Sequence, residues 1–242
     1  MTLWGKLTGA AAGLAVGGPI GALIGGIAGH LVIDQDSPQS AEERKRIAFT
    51  LGVIALGAKM AKADGVVTRD EVQAFKEVFE IPPGELDNVA RIFDLAKQDV
   101  LGFEAYAKQL HGLFQDDRDM LKDILDGLFH IAKADDIIHP GEDAYLATVA
   151  KHFGFSKSEY RCIRARHVHT AERDPYEVLD VPRGISDEAL KRHYRKLMAD
   201  NHPDRLIARG MPQEYIATAT KKIAAINAAY EEITRERAGA LS

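Results

Sequence analysis

The chain has a single cysteine, Cys162, among 242 residues, which excludes an internal disulfide framework and fits a reducing compartment. The plain expectation for that thiol is a small buried core group. Aromatics are only 7% of the chain, and no convincing alternating run of Val, Ile and Thr occurs. A β architecture needs such runs, so the expected fold class is all-α. No basic excess is present: the formal net charge is −5, so nothing global points to nucleic acid. The glycine-rich N-terminus lacks the Gly-Lys-Ser/Thr ending of a phosphate loop, and no nucleophile and base pair stands out. An enzyme is therefore the class with least support, and no pattern calls for a cofactor.

Charge is also missing locally. From Leu7 to Ile33 no side chain is charged, and His30 is the only ionisable group. As one helix this run would be about 40 Å long, against roughly 30 Å of bilayer hydrocarbon. Gly5, Gly9, Gly13, Gly17, Gly21, Gly25 and Gly29 recur at every fourth residue and would line one groove of that helix. Small-residue faces let membrane helices approach closely, whereas in water each Gly costs about 1 kcal/mol against Ala. The expectation is a retained membrane helix that contacts lipid and pairs into a homodimer through Gly9, Gly13, Gly17, Gly21 and Gly25. Pro19 lies mid-span, where it would kink the helix. A cleaved signal peptide and a soluble glycine-rich oligomerisation arm are the other readings. Lys6 stands alone before the run, while Arg44, Lys45 and Arg46 follow it, which favours a single pass through an inner membrane with the bulk of the chain in the cytoplasm. Residues 34–46 read as a linker.

The middle of the chain repeats itself. Ala61-Lys62-Ala63-Asp64-Gly65-Val66-Val67 returns as Ala132-Lys133-Ala134-Asp135-Asp136-Ile137-Ile138, and Glu71 and Glu142 follow each Asp by seven positions. Each copy lies between apolar helical stretches, Ile47 to Met60 and Glu71 to Phe79, then Met120 to Ile131 and Glu142 to Phe153. Thr68 with Glu71 makes a capping box, and Pro140 suits a first helical turn. Two further helices are expected over about Pro83 to Lys97 and Phe103 to Phe114. The product is a bundle with approximate internal two-fold symmetry. Asp64, Glu71, Asp135 and Glu142 are candidate ligands for a divalent cation at the symmetry axis. The plainer reading has each Asp brace its own turn, and the spacing is not that of an EF-hand.

This segment, about Ile47 to Phe155, resembles the TerB family of helical domains through its Ala-Asp-Gly turn, the following Glu and the second copy. The resemblance implies an interaction or sensing module rather than a reaction. The second copy departs from the pattern in having Asp136 where Gly is usual.

Near the C-terminus, Asp174 caps a short helix that begins at Pro175. Ser186 caps a basic amphipathic helix running to Asp200, with Leu190, Tyr194, Leu197 and Met198 facing a core. Lys191, Arg192, Arg195 and Lys196 occupy its remaining surface. A last helix, from about Pro212 to Arg235, offers Ile216, Ile223, Ile226, Tyr230 and Ile233. Between the two lies His202-Pro203-Asp204, displayed at the tip of a helical hairpin because Pro ends the preceding helix. His167 and His169 have no acidic or cysteine partner nearby in the sequence and read as exposed linker histidines.

Asp-Pro-Tyr-Glu-Val-Leu at 174–179, Tyr194 to Leu197, His202-Pro203-Asp204 and Ile226-Asn-Ala-Ala-Tyr-Glu231 together resemble the J domain of the DnaJ family, over about Arg173 to Arg237. The resemblance implies docking on a DnaK-type heat-shock chaperone and stimulation of its ATP hydrolysis. It makes His202, Pro203 and Asp204 the essential loop and Lys191, Arg192, Arg195 and Lys196 the docking charges. There is no Gly/Phe-rich region and no Cys-x-x-Cys segment, so the resemblance does not extend to the client-holding parts of a complete DnaJ. The expected organisation is a membrane anchor over 1–33, a linker, a TerB-like bundle over 47–155, a connecting stretch over 156–172 and a J domain over 173–237. The whole resembles a membrane-anchored J-domain co-chaperone. An alternative function is a membrane-bound metal or stress-sensing adaptor acting through the bundle.

Overall fold

From Ile47 to Ala58 the sequence has no charged residue, and a helix apolar on every side has to be surrounded. A computed structural model describes residues 18–22, 41–64, 76, 81, 84, 86–98, 102–133, 137–168, 173–208, 211 and 215–240, and all regular structure among them is helical. The apolar stretch is the buried centre of α1 (Ala41–Asp64). Around it pack α2 (Leu86–Gln98), α3 (Phe103–Leu113), α4 (Arg118–Ala132) and α5 (Pro140–His152). The helix begins at Ala41, so it takes in the last part of the expected linker over 34–46: Ala41-Glu42-Glu43 are good helix formers and put acids at the N-terminal end. The other expected helices of the bundle appear within a few residues of their expected ends. The expected helix over Glu71 to Phe79, the Thr68–Glu71 capping box and the turns carrying Gly65 and Asp135 lie outside the described residues.

The N-terminal run departs from expectation where it is described. Residues 18–22 are helical, and Gly18, directly before Pro19, has a left-handed φ of +77°. A left-handed glycine followed by a residue without an N–H starts a helix and interrupts one arriving from upstream. Gly18 thus marks a break immediately before Pro19, where the expected helix would kink. Ile20 is buried in the bundle core, and its N–H donates to Gln109 Oε1 at 2.9 Å. Among the described residues no helix is long and apolar enough to cross a membrane. Gly9, Gly13, Gly17 and Gly25 lie outside the described residues.

After the bundle come α6 (Lys157–Ala165), α7 (Pro175–Leu179), α8 (Asp187–Asp200), α9 (Pro203–Ala208) and α10 (Ile216–Ala240). Their starts are encoded locally. Ser156 Oγ accepts from Glu159 N, Asp174 Oδ1 from Tyr176 N, and Ser186 Oγ from Ala189 N. A second, smaller core forms from Ala165, Tyr176, Val178, Leu179, Leu190, Ile226, Ala229 and Ile233. Cys162 is buried beside it, and its thiol donates to Asp180 Oδ1 at 3.1 Å. Burial first, then the Asp180 carboxylate, push that thiol up to about 12, which makes it inert as a nucleophile.

The two cores are joined through one surface of α4. The first core includes not only bundle residues but also Leu206, Met211, Tyr215 and Ala219. Tyr215 donates its hydroxyl to the Asp123 carbonyl, and its ring stands edge-on to Phe49 with centroids 4.9 Å apart. Lys222 Nζ lies 2.9 Å from Asp123 Oδ1 and 2.9 Å from Asp126 Oδ2, all three side chains being buried. His167 Nε2 lies 2.7 Å from Asp126 Oδ1, with its ring stacked on Phe129. His167 is thus not an exposed linker histidine: its acidic partner is distant in sequence and arrives only with the fold. His169 lies outside the described residues.

Burial alone would raise the Asp126 carboxyl, but Lys222 and His167 outweigh it and hold the group below the usual carboxylate range. Burial would lower the Lys222 ammonium, and Asp123 and Asp126 reverse that, so it stays charged. A carboxylate lowered by folding contributes stability above its unfolded pKa and loses that contribution as pH falls through the folded value. Asp126→Asn should therefore cost about 3 kcal/mol at neutral pH, the low end for breaking a buried pair because Asp123 still faces Lys222. Thermal unfolding from pH 7 to 2 checks this: the variant should melt roughly 6–12 °C lower at pH 7 and lose less stability below pH 4 than the parent.

Candidate partner-docking site

Helix α8 ends because its last turn is closed from within. Asn201 Nδ2 donates to the Leu197 carbonyl at 2.8 Å, and Pro203, with φ already set for a first helical turn, opens α9. The residues just after the tripeptide are thus helix, since Pro both stops one helix and starts the next. The His202 carbonyl accepts from Arg205 N at 3.0 Å and Leu206 N at 3.1 Å, so the tripeptide is the junction of two helices and not a free loop.

The two chemical groups of the tip point outward. The side chains of His202 and Asp204 are 60% and 90% exposed, which leaves both available to a partner. Asp204 N donates to His202 Nδ1 at 3.3 Å. A neutral ring accepting at Nδ1 carries its proton on Nε2, which leaves an outward-facing donor next to the Asp204 carboxylate.

The basic residues of α8 stand beside this tip. Lys191, Arg192, Arg195 and Lys196 are all exposed, as the helical spacing predicts. Lys196 Nζ meets Asp200 Oδ2 at 2.5 Å, and Arg205 Nη1 meets Asp200 Oδ1 at 2.6 Å. Asp200 therefore ties the last turn of α8 to α9 across the tip. The opposite face of α8 is held by Leu190 in the second core and by Tyr194, whose ring stacks on Tyr230 at 4.1 Å and whose hydroxyl donates to Asn227. His193 Nε2 lies 2.8 Å from the Leu179 carbonyl. At the far end, Arg237 donates to Asp187 and to the Arg183 and Ile185 carbonyls, closing α10 onto the start of α8. Hydrogen bonds to the Tyr176 hydroxyl and then to the Asp187 carboxylate raise the Arg237 guanidinium above its ordinary value.

The candidate metal ligands are not brought together among the described residues. Glu142 Oε2 accepts from the His139 N–H at 2.9 Å, so this buried carboxylate caps α5. The Asp64 side chain, Glu71 and Asp135 lie outside the described residues, and no group of three His, Cys, Asp or Glu side chains among those described is placed to hold an ion.

Sequence reasoning missed Asp123, Asp126 and Lys222 and misread His167. A signal for the first two was present: acids three apart inside the apolar run Met120 to Ile131 have to be paired if the helix is buried on both sides. Their partners lie in other elements and carry no local mark.

Comparison with known proteins covers the chain in three successive pieces. Residues 1–47 match the family model Co-chaperone DjlA transmembrane domain, residues 50–165 match Tellurite resistance protein TerB, and residues 174–238 match DnaJ domain. Relatives bearing the name Co-chaperone protein DjlA align over most of their length. The one from Photobacterium profundum is 28% identical, covering 82% of this chain and 80% of the relative. That from Coxiella burnetii is 28% identical over 86% and 88%, and that from Escherichia coli K12 is 26% identical over 98% and 99%. No solved structure matches. With the tip, the basic helix and the three matched segments in this order, the chain carries a TerB domain ahead of a DnaJ domain and is similar over most of its length to the DjlA co-chaperones.

Proposed function

We propose that this protein is a membrane-anchored co-chaperone that docks on a DnaK-type chaperone and stimulates its ATP hydrolysis. The carrying observation is the outward pair of His202 and Asp204 at a helix junction, flanked by the exposed Lys191, Arg192, Arg195 and Lys196. The printed name of the relatives, co-chaperone, agrees with it. In this reading the chain performs no covalent chemistry. The charged face steers encounter and sets register, while the Pro-set tip offers one donor and one carboxylate to the partner and shifts its conformational equilibrium.

The anchor in this reading is the glycine-rich N-terminus, supported by its uncharged composition and by the transmembrane-domain match. It places the chain in the inner membrane as a single pass with its bulk in the cytoplasm. The glycine face, with Gly9, Gly13, Gly17, Gly21 and Gly25, pairs two copies in lipid, an arrangement in which residues 18–22 leave the bundle core that holds Ile20.

His202→Gln should keep the fold, because the ring is exposed, and lose stimulation of single-turnover ATP hydrolysis by DnaK. A variant that stimulates as well as the parent sinks the J-domain reading. The concentration giving half-maximal stimulation should rise with salt, since screening shortens from ~10 Å at 0.1 M to ~3 Å at 1 M. Arg192→Ala should raise it at low salt and flatten its salt dependence, whereas a salt-independent titration of the parent argues against the basic face.

A further inference from the structure

We propose that Tyr215 and Lys222, seated on α4, are positioning residues for the His202-Pro203-Asp204 tip, so that the bundle sets how the tip is presented to the chaperone. This rests on the co-chaperone reading above. The chain leaving the tip is rooted in the bundle and not in the hairpin's own core: Leu206, Met211, Tyr215 and Ala219 are 1%, 2%, 1% and 4% exposed and belong to the first core. The link to the tip is short. Leu206 N donates to the His202 carbonyl at 3.1 Å, and Met211 N donates to the Leu206 carbonyl at 3.0 Å. A residue buried in the bundle is thus hydrogen-bonded to the first residue of the tripeptide.

The seat itself is specific. Tyr215 reaches the Asp123 carbonyl only because Gly127, one turn further along α4, has no side chain: a Cβ there would lie 2.5 Å from the Tyr215 hydroxyl oxygen and 2.9 Å from its ring. Lys222, two helical turns into α10, meets both Asp123 and Asp126 on the same face of α4. An aromatic hydroxyl and an ammonium on one segment therefore register against one stretch of helix, which fixes both the depth and the rotation of α10. The docking does not mask the tip. His202, Asp204, Lys191, Arg192 and Arg195 all remain exposed while Tyr215 and Lys222 are buried, so the contact supports the tip and does not inhibit it. Encounter is carried by the exposed charges of α8, so loosening the segment alters how His202 and Asp204 are placed in the bound complex and falls on the maximal stimulation.

Gly127→Ala in the full-length protein tests this. Ala is the better helix former, so α4 itself loses nothing, and the atoms nearest the added methyl are all in the Tyr215 side chain. Two readouts are taken: single-turnover ATP hydrolysis by DnaK titrated with the variant, and amide hydrogen exchange at Arg205, Leu206 and Met211. The expected result is a maximal stimulation several-fold lower at an unchanged half-saturating concentration, with faster exchange at those amides. Misfolding of part of the sample would instead raise the apparent half-saturating concentration and leave the plateau in place, which counts against the proposal. Tyr215→Leu in the same chain removes the atoms that the methyl strikes and should recover part of the plateau. Tyr215→Phe, which loses only the bond to the Asp123 carbonyl, should lower the plateau in the same direction. A full plateau with unchanged exchange in both Gly127→Ala and Tyr215→Phe overturns the proposal, and so does a plateau above that of the parent. If the parent itself gives no stimulation, the co-chaperone reading fails; unchanged exchange in the variants then overturns the anchoring as well, and faster exchange confined to Arg205, Leu206 and Met211 upholds it.

Discussion

Lys222 carries its ammonium into the junction of two hydrophobic cores and meets Asp123 and Asp126 there, each at 2.9 Å. Removing such charges from water costs several kcal/mol per ion, and the cost is recovered only when the partners meet at close range. A displaced α10 would leave two carboxylates stranded in α4 and an ammonium stranded against apolar side chains. The junction therefore has one acceptable register. His167, stacked on Phe129, adds a further donor to Asp126 and draws the segment after α6 into the same arrangement.

The consequence for the tip is geometric. A hairpin held only by Leu190, Ile226, Ala229 and Ile233 would set the packing of α8 against α10, and Tyr194 on Tyr230 would refine it. It would say nothing about where the hairpin points. That direction comes from Tyr215, Met211 and Leu206 entering the bundle core. The same burial leaves the polar side of α8 uncovered, so presentation and support use opposite faces of one small module. Asp200, shared between Lys196 and Arg205, braces the turn between those faces.

Much of this was legible from local pattern. The caps Asp174 and Ser186, the first-turn prolines Pro140 and Pro175, and the apolar centre of α1 all act through neighbours within a few residues, so the chain order alone reveals them. The basic stripe of α8 was legible for the same reason, because its spacing is that of the helix. One reading failed because the deciding partner was remote, and another was incomplete because a long-range contact was invisible. His167 appeared solitary because Asp126 is 41 residues away. In the uncharged N-terminal run the kink expected at Pro19 takes the form of a left-handed Gly18 just before it, and the entry of Ile20 into the bundle core had no local mark.

By itself the sequence determined the helical class, the two-helix tip with its outward His202 and Asp204, and the charged face beside them, since each depends on period, capping and the fixed φ of proline. Only the tertiary structure decided that the hairpin is seated on α4 by Tyr215 and Lys222. That contact couples α4 to a helix some 90 residues later in the chain, with Tyr215 92 residues from Asp123. Pairings at that separation leave no periodic trace. They become visible only when burial forces each charged or hydroxyl group to find the one partner within reach.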